Sequence, residues 1–255
     1  MSLYKTEGIV LRNRDLGEAD RIVTVYTRER GKVRAVAKGA RRPRSRFVGS
    51  TLVFTYADFL IFKGKGLDNI SQVSIIEPFS RLRSDLVSMA YASYMAELVD
   101  ISTEEDEKND SIFLLLLTAF QVLPELPDPE MLRFAFEARL MTYLGYKPVL
   151  DRCATCGGNP EAAELAFDAA TGGVLCLECA GAQGDGAIKV SRGTVELLKR
   201  ILNHDLRRIG QLKASVEVRR QLDAILKSHI DYHLDRSLKS REFLEMVRHT
   251  GRATS

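Results

Sequence analysis

Residues 21–47, RIVTVYTRERGKVRAVAKGARRPRSRF, decide the fold expected for the first third of this chain. Apolar and polar side chains alternate along residues 21–28 and again along residues 32–38, and the ERG segment at 29–31 predicts a tight turn between them. Because successive side chains of a strand point to opposite faces, the second strand has one apolar and one basic face. The apolar set is Val33, Ala35 and Ala37, and the basic set is Lys32, Arg34 and Lys38.

The second half of this stretch is strongly basic, and residues 31–47 contain no acidic residue. Gly39 and Pro43 interrupt any regular element, so residues 39–45 are expected to form an exposed loop. Clusters of this kind bind nucleic acid by displacing condensed counterions from phosphates. The alternative is a solvated charge run that keeps a loop soluble. The candidate phosphate-binding side chains are Lys32, Arg34, Lys38, Arg41, Arg42, Arg44 and Arg46.

Further strand patterns extend this hairpin at residues 8–14, 51–62 (TLVFTYADFLIF) and 69–76. The KGKG segment at 63–66 predicts the turn between the last two. Five short strands joined by short connections favour a small closed or partly open barrel, because closure satisfies the strand edges. One basic face on such a barrel suggests an OB-fold for residues 1–80.

From about residue 82 onward the apolar period is that of helices. Ser84-Asp85 and Ser191 are expected to be N-caps, and residues 111–123 are apolar on almost all sides, which predicts a buried helix. The acidic segment EEDEKND at 104–110 is expected to be a solvated connection. The predicted helices cover residues 84–102, 111–123, 130–143, 191–204, 215–234 and 238–249.

The four cysteines form the pattern C-x2-C-x19-C-x2-C, with one pair at Cys153 and Cys156 and the other at Cys176 and Cys179. Two intervening residues let both sulfurs of a turn reach one tetrahedral ion. The residues that follow the pairs, Gly157-Gly158 and Ala180-Gly181, tolerate the left-handed conformation that such turns need. The pattern predicts one structural zinc ion per chain, because four thiolates leave no open position for water. Two disulfides or four unrelated thiols are the alternatives, and a catalytic zinc would need an open site.

The predicted fold class is therefore α+β and multidomain. It comprises an N-terminal OB-fold barrel at residues 1–80, a helical domain at 81–150 and 188–250, and a zinc-binding module inserted at 151–187.

Composition limits the possible function classes. The net charge is only +3, but residues 1–80 hold 15 Lys/Arg and 8 Asp/Glu, which places the basic character in the N-terminal third. No secretory signal is visible, and the most apolar run, residues 112–117, is far shorter than the ~18–20 residues of a membrane span. We expect a cytoplasmic protein without a membrane partner, in which paired cysteines hold metal more often than they form disulfides.

No sequence pattern nominates a catalytic site. No segment matches the phosphate-binding loop G-x4-G-K-[ST], and His229 and His233 lack the glutamate of a metalloprotease helix, so a surface or partly buried pair is expected. Arg207 and Arg208 belong to a second basic cluster, for which DNA contact and an ordinary solvated helix face are equally open. Spacing alone therefore nominates no catalytic residue.

Several blocks of the sequence closely resemble the bacterial RecO family of DNA repair proteins. They are EGIVLRNRDLGEADRIVTVYTRERGKVRAVAKGARRPRSRF at 7–47, GKGLDNISQ at 64–72, RLRSDL at 81–86, LGYKPVLDRCATCG at 144–157 and GGVLCLEC at 172–179. The resemblance implies an N-terminal OB-fold, a helical domain and, in members that keep the cysteines, a zinc module. This chain has all four.

The resemblance also implies a function. RecO proteins are recombination mediators and not enzymes in the bond-breaking sense. They bind single- and double-stranded DNA and anneal complementary strands. With RecR, and in the wider pathway RecF, they help to load RecA onto DNA covered by single-strand-binding protein. They also hold the acidic C-terminal tail of that protein, and they act in the cytoplasm at the nucleoid. Two rival interpretations are an RNA-binding protein with an OB-fold and a zinc ribbon, which shares the electrostatics, and a metal-dependent nuclease or deaminase, which the four-thiolate pattern opposes.

Overall fold

The first third of the chain folds into a closed five-stranded barrel with the strand order β1-β2-β3-β5-β4, which confirms the predicted barrel. The computed structural model describes residues 2–159, 164–183 and 186–252. The barrel strands are β1 (Leu3–Leu16), β2 (Asp20–Thr27), β3 (Gly31–Ala37), β4 (Tyr56–Phe62) and β5 (Asp68–Glu77).

The β2–β3 hairpin has the predicted alternation. The two strands pair in antiparallel register from Arg21 opposite Ala37 to Thr27 opposite Gly31. Val33 and Ala35 are buried in the barrel core with apolar residues of β1, β2 and β4. Their burial turns the basic side chains of β3 away from the core, as the period-2 pattern of a strand requires.

The strand predicted at residues 51–62 begins only at Tyr56, so this prediction was wrong for its first five residues. Residues 38–55 form successive turns, in which the Thr51 N–H donates to the Phe47 carbonyl at 3.1 Å. Phe47 enters the barrel core, and Phe54 is 2% exposed with a left-handed φ of 73°. Phe54, which lies in the stretch that resembles a strand in sequence, instead packs edge-on against the ring of Phe120, with centroids 5.4 Å apart.

The helices lie in two compact units. The barrel unit contains the chain up to Glu125 and again from Leu238, and the cysteine unit spans Leu126–Ser237. The helices are α1 (Ser80–Ser84), α2 (Leu86–Ser102), α3 (Asp110–Val122), α4 (Glu130–Tyr143), α5 (Leu177–Gln183), α6 (Arg192–Asn203), α7 (Val216–Leu234) and α8 (Lys239–Arg252).

In the barrel unit, α2 packs against β1, α3 and α8. The Asp85 side chain accepts the Ser88 N–H at 2.7 Å and caps α2 as predicted, and Glu97 of α2 accepts the Ser240 N–H at 2.7 Å at the start of α8. The compact units group α1, α2, α3 and α8 with the barrel. The domain boundaries predicted near residues 80, 150 and 187 were placed where the sequence pattern changes. They remain a proposal.

In the cysteine unit, α4 packs against α6 and α7. Arg133 of α4 is buried and donates to Glu137 at 2.9 Å and also to Asp223, so pairing offsets the cost of burying these charges. The Ser191 side chain accepts the Thr194 N–H at 3.2 Å and caps α6 as predicted.

The cysteine unit also contains a three-stranded antiparallel sheet that the sequence pattern did not predict, with the order β7-β6-β8. Its strands are β6 (Glu164–Asp168), β7 (Gly173–Leu175) and β8 (Ile188–Ser191). Residues 160–163 and 184–185 of the predicted zinc module lie outside the described residues. Within the parts of the chain that are described, no helix combines the length and apolar character of a membrane span.

Gly31 marks a close approach between the barrel and the segment before α3. Its φ is 67°, and a Cβ atom there would lie 1.9 Å from the Glu107 carbonyl oxygen.

Gly31→Ala should therefore lower the free energy of unfolding by about 2 kcal/mol or more, measured by urea titration, since both the left-handed backbone and the contact disfavour a side chain. Gly66→Ala is the control, because a Cβ there meets no atom within 4 Å. Equal stability of the two variants would contradict this account of Gly31.

Candidate nucleic-acid interface and metal centre

A concave basic site, here called the basic pocket, is formed by the loop after β3. It has a volume of about 330 Å³ and is lined by Lys38, Gly39, Arg42, Arg44, Ser45, Arg46 and Phe47. The loop is fixed at both ends. The Gly39 N–H donates to Asp20 Oδ1 at 2.8 Å, and Phe47 is buried in the barrel core. Its cations are therefore presented by an anchored loop with no acidic residue in the lining.

The loop cations differ in what their side chains contact. Arg41 donates to the Gly17 carbonyl at 2.7 Å and pairs with Asp15 at 3.3 Å. Arg46 donates to the Ser71 carbonyl at 2.8 Å, and its guanidinium lies 5.0 Å from the centre of the Phe47 ring. These two arginines brace the loop against the barrel.

Three cations of the loop remain available to an external anion. In the described part of the chain, the exposed side chains of Lys38, Arg42 and Arg44 make no hydrogen bond and no ion pair. Like charges held this close together repel one another, and an anion that binds between them relieves that repulsion.

The strand cations are placed differently, because the segment after α2 covers their face of β3. Lys32 is largely buried, and its Nζ donates to the carbonyls of Asp100 and Thr103, both at 2.5 Å. Arg34 donates to Glu105 at 3.2 Å. The DNA contacts predicted for Lys32 and Arg34 remain a prediction that this geometry does not favour.

The acidic segment at residues 104–110 was predicted to be a solvated connection, and residues 104–108 are exposed as expected. Its carboxylates also pair with cations of the barrel. Asp106 pairs with Arg30 at 2.8 Å and with Lys63 at 2.6 Å, and Asp110 pairs with Arg28 at 2.8 Å. Burial opposes ionisation of Asp106, but the hydrogen bonds from Lys63 and Arg30 prevail and lower its pKa. The carboxylates of this segment thus neutralise barrel cations that would otherwise add to the basic surface.

The second basic cluster lies in the cysteine unit. Arg207 and Arg208 are exposed on the 3₁₀ helix Leu206–Gln211. Three cations near them in sequence are paired within the unit: Lys199 with Asp151 at 3.1 Å, Arg219 with Asp128 at 2.6 Å and Arg220 with Glu217 at 2.7 Å. DNA contact by Arg207 and Arg208 stays a prediction.

The four cysteines come together as the spacing predicts. Their Sγ atoms all lie within 4.8 Å of one another, and among the described residues they are the only group of three or more potential metal ligands. None of the four forms a disulfide in this structure. Four thiolates around zinc at about 2.3 Å would stand about 3.8 Å apart, close to the 4.0 Å between the sulfurs of Cys156 and Cys176.

Backbone pairing brings the two halves of this cluster together. Val149 and Gly173 form a parallel β-bridge, and the Ala154 N–H donates to the Val174 carbonyl at 2.8 Å. Gly157 adopts the expected left-handed conformation, with a φ of 74°. The left-handed conformation predicted for Ala180-Gly181 was wrong, because both residues lie inside α5.

The pKa values of Cys153 and Cys179 depend on their neighbours, and this dependence favours a cation at the centre of the cluster. Burial opposes ionisation of Cys153, but backbone N–H groups, including that of Cys176 at 3.5 Å, lower its pKa to about 6. Hydrogen bonding to Cys176 and the neighbouring sulfurs raise the pKa of Cys179 to about 12. Full ionisation of the set therefore needs a positive ion, and thiolates select soft metals such as zinc.

The histidine pair of α7 is not part of a metal-ligand group. His229 is 2% exposed, and its Nε2–H donates to the Tyr146 carbonyl at 2.8 Å. Its ring lies 4.5 Å from that of His233. The expectation of a partly buried helical pair fits this arrangement.

Comparison with known proteins places the chain in a family. The family described as "Recombination protein O N terminal" matches residues 1–79, and "Recombination protein O C terminal" matches residues 83–242. The DNA repair protein RecO of Symbiobacterium thermophilum is 43% identical over 251 residues, which cover 97% of this chain and 99% of that protein. RecO of Pelotomaculum thermopropionicum is 44% identical over 245 residues, covering 96% and 94% of the two chains.

A more distant relative covers the chain equally well. RecO of Halalkalibacterium halodurans is 35% identical over 248 residues, or 97% of this chain and 96% of that protein. These matches confirm the resemblance found in the sequence and favour DNA over the RNA alternative. All three relatives are DNA repair proteins. The chain belongs to the RecO family of DNA repair proteins.

Proposed function

We propose that this chain is a recombination mediator that binds single- and double-stranded DNA and anneals complementary single strands. The observation that supports this most directly is the basic pocket, where Lys38, Arg42 and Arg44 extend from one anchored loop without a partner in the described chain. Their spacing on a loop suits the flexible, regularly charged backbone of a nucleic acid strand.

The proposed mechanism is electrostatic. Cations of the basic pocket neutralise phosphates and release condensed counterions, so two strands approach each other with less mutual repulsion. Phosphate contacts are independent of sequence and position the strand. Base pairing between the two DNA strands then supplies the sequence information, and the protein needs no catalytic residue for this step.

The proposal extends to the partners of the pathway. The chain would act with RecR, and in the wider pathway with RecF, to help load RecA onto DNA coated by single-strand-binding protein. It would also bind the acidic C-terminal tail of that protein. The site of action would be the nucleoid in the cytoplasm.

We further propose that the four cysteines hold one zinc ion per chain. The donor set of four thiolates closes the coordination sphere, so the ion would stabilise the fold and would not activate water. Cys153 and Cys156 would bind it from the turn before β6, Cys176 from the position between β7 and α5, and Cys179 from α5.

A fluorescence strand-annealing assay tests the proposed function. Two complementary oligonucleotides, each carrying one dye of a transfer pair, should anneal faster with the protein than without it, and the effect should fade as salt rises. The assay is repeated on strands coated with intact single-strand-binding protein. Annealing at the spontaneous rate under all these conditions would refute the proposal.

The tail interaction has its own expected result. A single-strand-binding protein that lacks its acidic C-terminal tail should bind this chain markedly less well than the intact protein, as measured by isothermal titration calorimetry. Equal affinity of both forms would remove the tail from the proposed partners, while the annealing result would stand.

A further inference from the structure

An exposed aromatic cluster lies in the cysteine unit, where the chain leaves α4 and where α7 ends. The rings of Tyr146 and His233 stack, with centroids 4.2 Å apart and an angle of 21° between their planes. The Tyr232 ring meets His233 edge-on, at 5.1 Å and 88°. Tyr146 is 39% exposed and Tyr232 is 57% exposed.

We propose that Tyr146 and Tyr232 form a stacking platform for the unpaired bases of single-stranded DNA. This inference rests on the proposed function, since it adds a second point of contact in the cysteine unit to the phosphate contacts of the barrel unit. Its physical basis is the stacking of bases on aromatic side chains, which accepts any base because every base has a π-face.

The backbone that carries Tyr146 is fixed before any ligand arrives. The Tyr146 N–H donates to the Met141 carbonyl at 2.8 Å, and its own carbonyl accepts the Nε2–H of His229 at 2.8 Å. Gly145, with a φ of 94°, makes the turn that brings Tyr146 to this position. A preorganised ring loses little conformational entropy when a base stacks on it.

His229 can donate this bond in either protonation state, since both carry an Nε2–H. Burial lowers its pKa, and the nearby His233 acts in the same direction. The edge of the Phe167 ring from β6 packs against the His229 ring, with centroids 5.8 Å apart. The buried histidine thus connects the sheet of the cysteine unit to the exposed tyrosine above it.

The geometry indicates two separate bases and not a continuous stack. His233 is nearly parallel to Tyr146 and nearly perpendicular to Tyr232, so the two tyrosine rings are steeply inclined to each other. Bases that stack on them would be turned apart. A duplex cannot provide such bases, because its base faces are already covered by their neighbours, whereas a flexible single strand can.

The charges around the cluster favour stacking over phosphate binding. Lys147 and Arg236 are exposed, but so are Asp231 and Asp235. These charges balance, so the cluster contributes little net attraction for phosphates. Binding here should therefore depend weakly on salt, in contrast to the basic pocket.

The test compares two substitutions of Tyr232 with one control. Because Tyr232 is exposed, its replacement should not destabilise the fold. Tyr232→Phe keeps an aromatic ring, Tyr232→Leu keeps apolar area without a ring, and Val216→Ala, at a residue of the same helix that is 83% exposed, is the control. Each variant is titrated with an oligo(dT) strand and with a duplex of equal length at several salt concentrations. Unchanged melting curves verify that each variant is folded.

Tyr232→Leu should bind oligo(dT) about 5- to 100-fold more weakly. Its slope of log affinity against log salt and its affinity for the duplex should not change. Tyr232→Phe and Val216→Ala should match the parent. The parent has 8 tyrosines and no tryptophan, so tyrosine emission can report the stacking directly, and its quenching by oligo(dT) should diminish in Tyr232→Leu.

Two outcomes would overturn the platform. One is an affinity of Tyr232→Leu for oligo(dT) equal to that of the parent, which would indicate that the exposed rings bind an apolar protein partner. The other is an equal loss of affinity for the duplex or a changed salt slope in that variant, which would indicate an indirect ionic effect. Either result leaves the proposed function standing if the parent still binds and anneals DNA, whereas a parent that binds no DNA refutes the proposed function itself.

Discussion

Cys153→Ser is expected to abolish binding of the proposed zinc ion and to lower the free energy of unfolding of the cysteine unit by about 4 kcal/mol or more. Cys153 is 1% exposed, and its sulfur accepts the Cys176 N–H at 3.5 Å, so it connects the two halves of the cluster. A hydroxyl cannot replace a thiolate as a soft ligand, and the three remaining thiols would leave the site open. Zinc content by mass spectrometry and thermal unfolding of the purified protein measure both effects.

The neighbouring Thr155 provides a matched control, because it is exposed and lies between two of the ligands. Thr155→Ser should retain one zinc per chain and the melting temperature of the parent. A strong chelator should lower the melting temperature of the parent and of this control, and should change Cys153→Ser little. One zinc per chain in purified Cys153→Ser would refute the proposed ligand set.

Replacing Lys38, Arg42 and Arg44 together by alanine is expected to weaken single-stranded DNA binding by about 10- to 100-fold at low salt, with little dependence on sequence. The slope of log affinity against log salt should become shallower by about 2, since each lost phosphate contact contributes about 0.7 for a single strand. Fluorescence anisotropy at several salt concentrations gives both quantities.

The control removes the same number of positive charges from a different place. Arg28, Arg30 and Arg34 are each paired with a carboxylate of Asp110, Asp106 or Glu105. Their joint replacement by alanine should leave the salt slope close to that of the parent, because these cations are already neutralised. If both triple variants lose the same slope, net charge rather than the basic pocket governs binding.

Local features of the fold could be predicted because they depend on residues close in sequence. The alternation in β3 correctly assigned Val33 and Ala35 to the core. The caps at Asp85 and Ser191 bond to residues three positions later. The cysteine spacing likewise identified four sulfurs that lie within 4.8 Å of one another.

The loop before β4 could not be predicted from local pattern. Residues 51–55 have the β-branched and aromatic composition of a strand, but they form turns in which Thr51 and Phe54 are buried. Strand propensity describes a side chain that suits a half-buried surface, and a turn that closes a core offers the same surroundings. The three strands of the cysteine unit were missed for a similar reason, since short strands give little periodicity.

The sequence by itself determined the barrel, the cysteine cluster and the family. The period of the strands, the spacing of the cysteines and the order of the blocks that resemble the family all depend only on the order of residues in the chain. Tertiary structure alone decided which cations are free. Lys32 and Arg34 look identical in sequence to Lys38 and Arg42, but Arg34 meets Glu105, a residue 71 positions away. An ion pair depends on distance in space, so the neutralisation of Arg34 by the acidic segment, and its contrast with Lys38 and Arg42, which have no ion pair in the described chain, become visible only after the chain has folded.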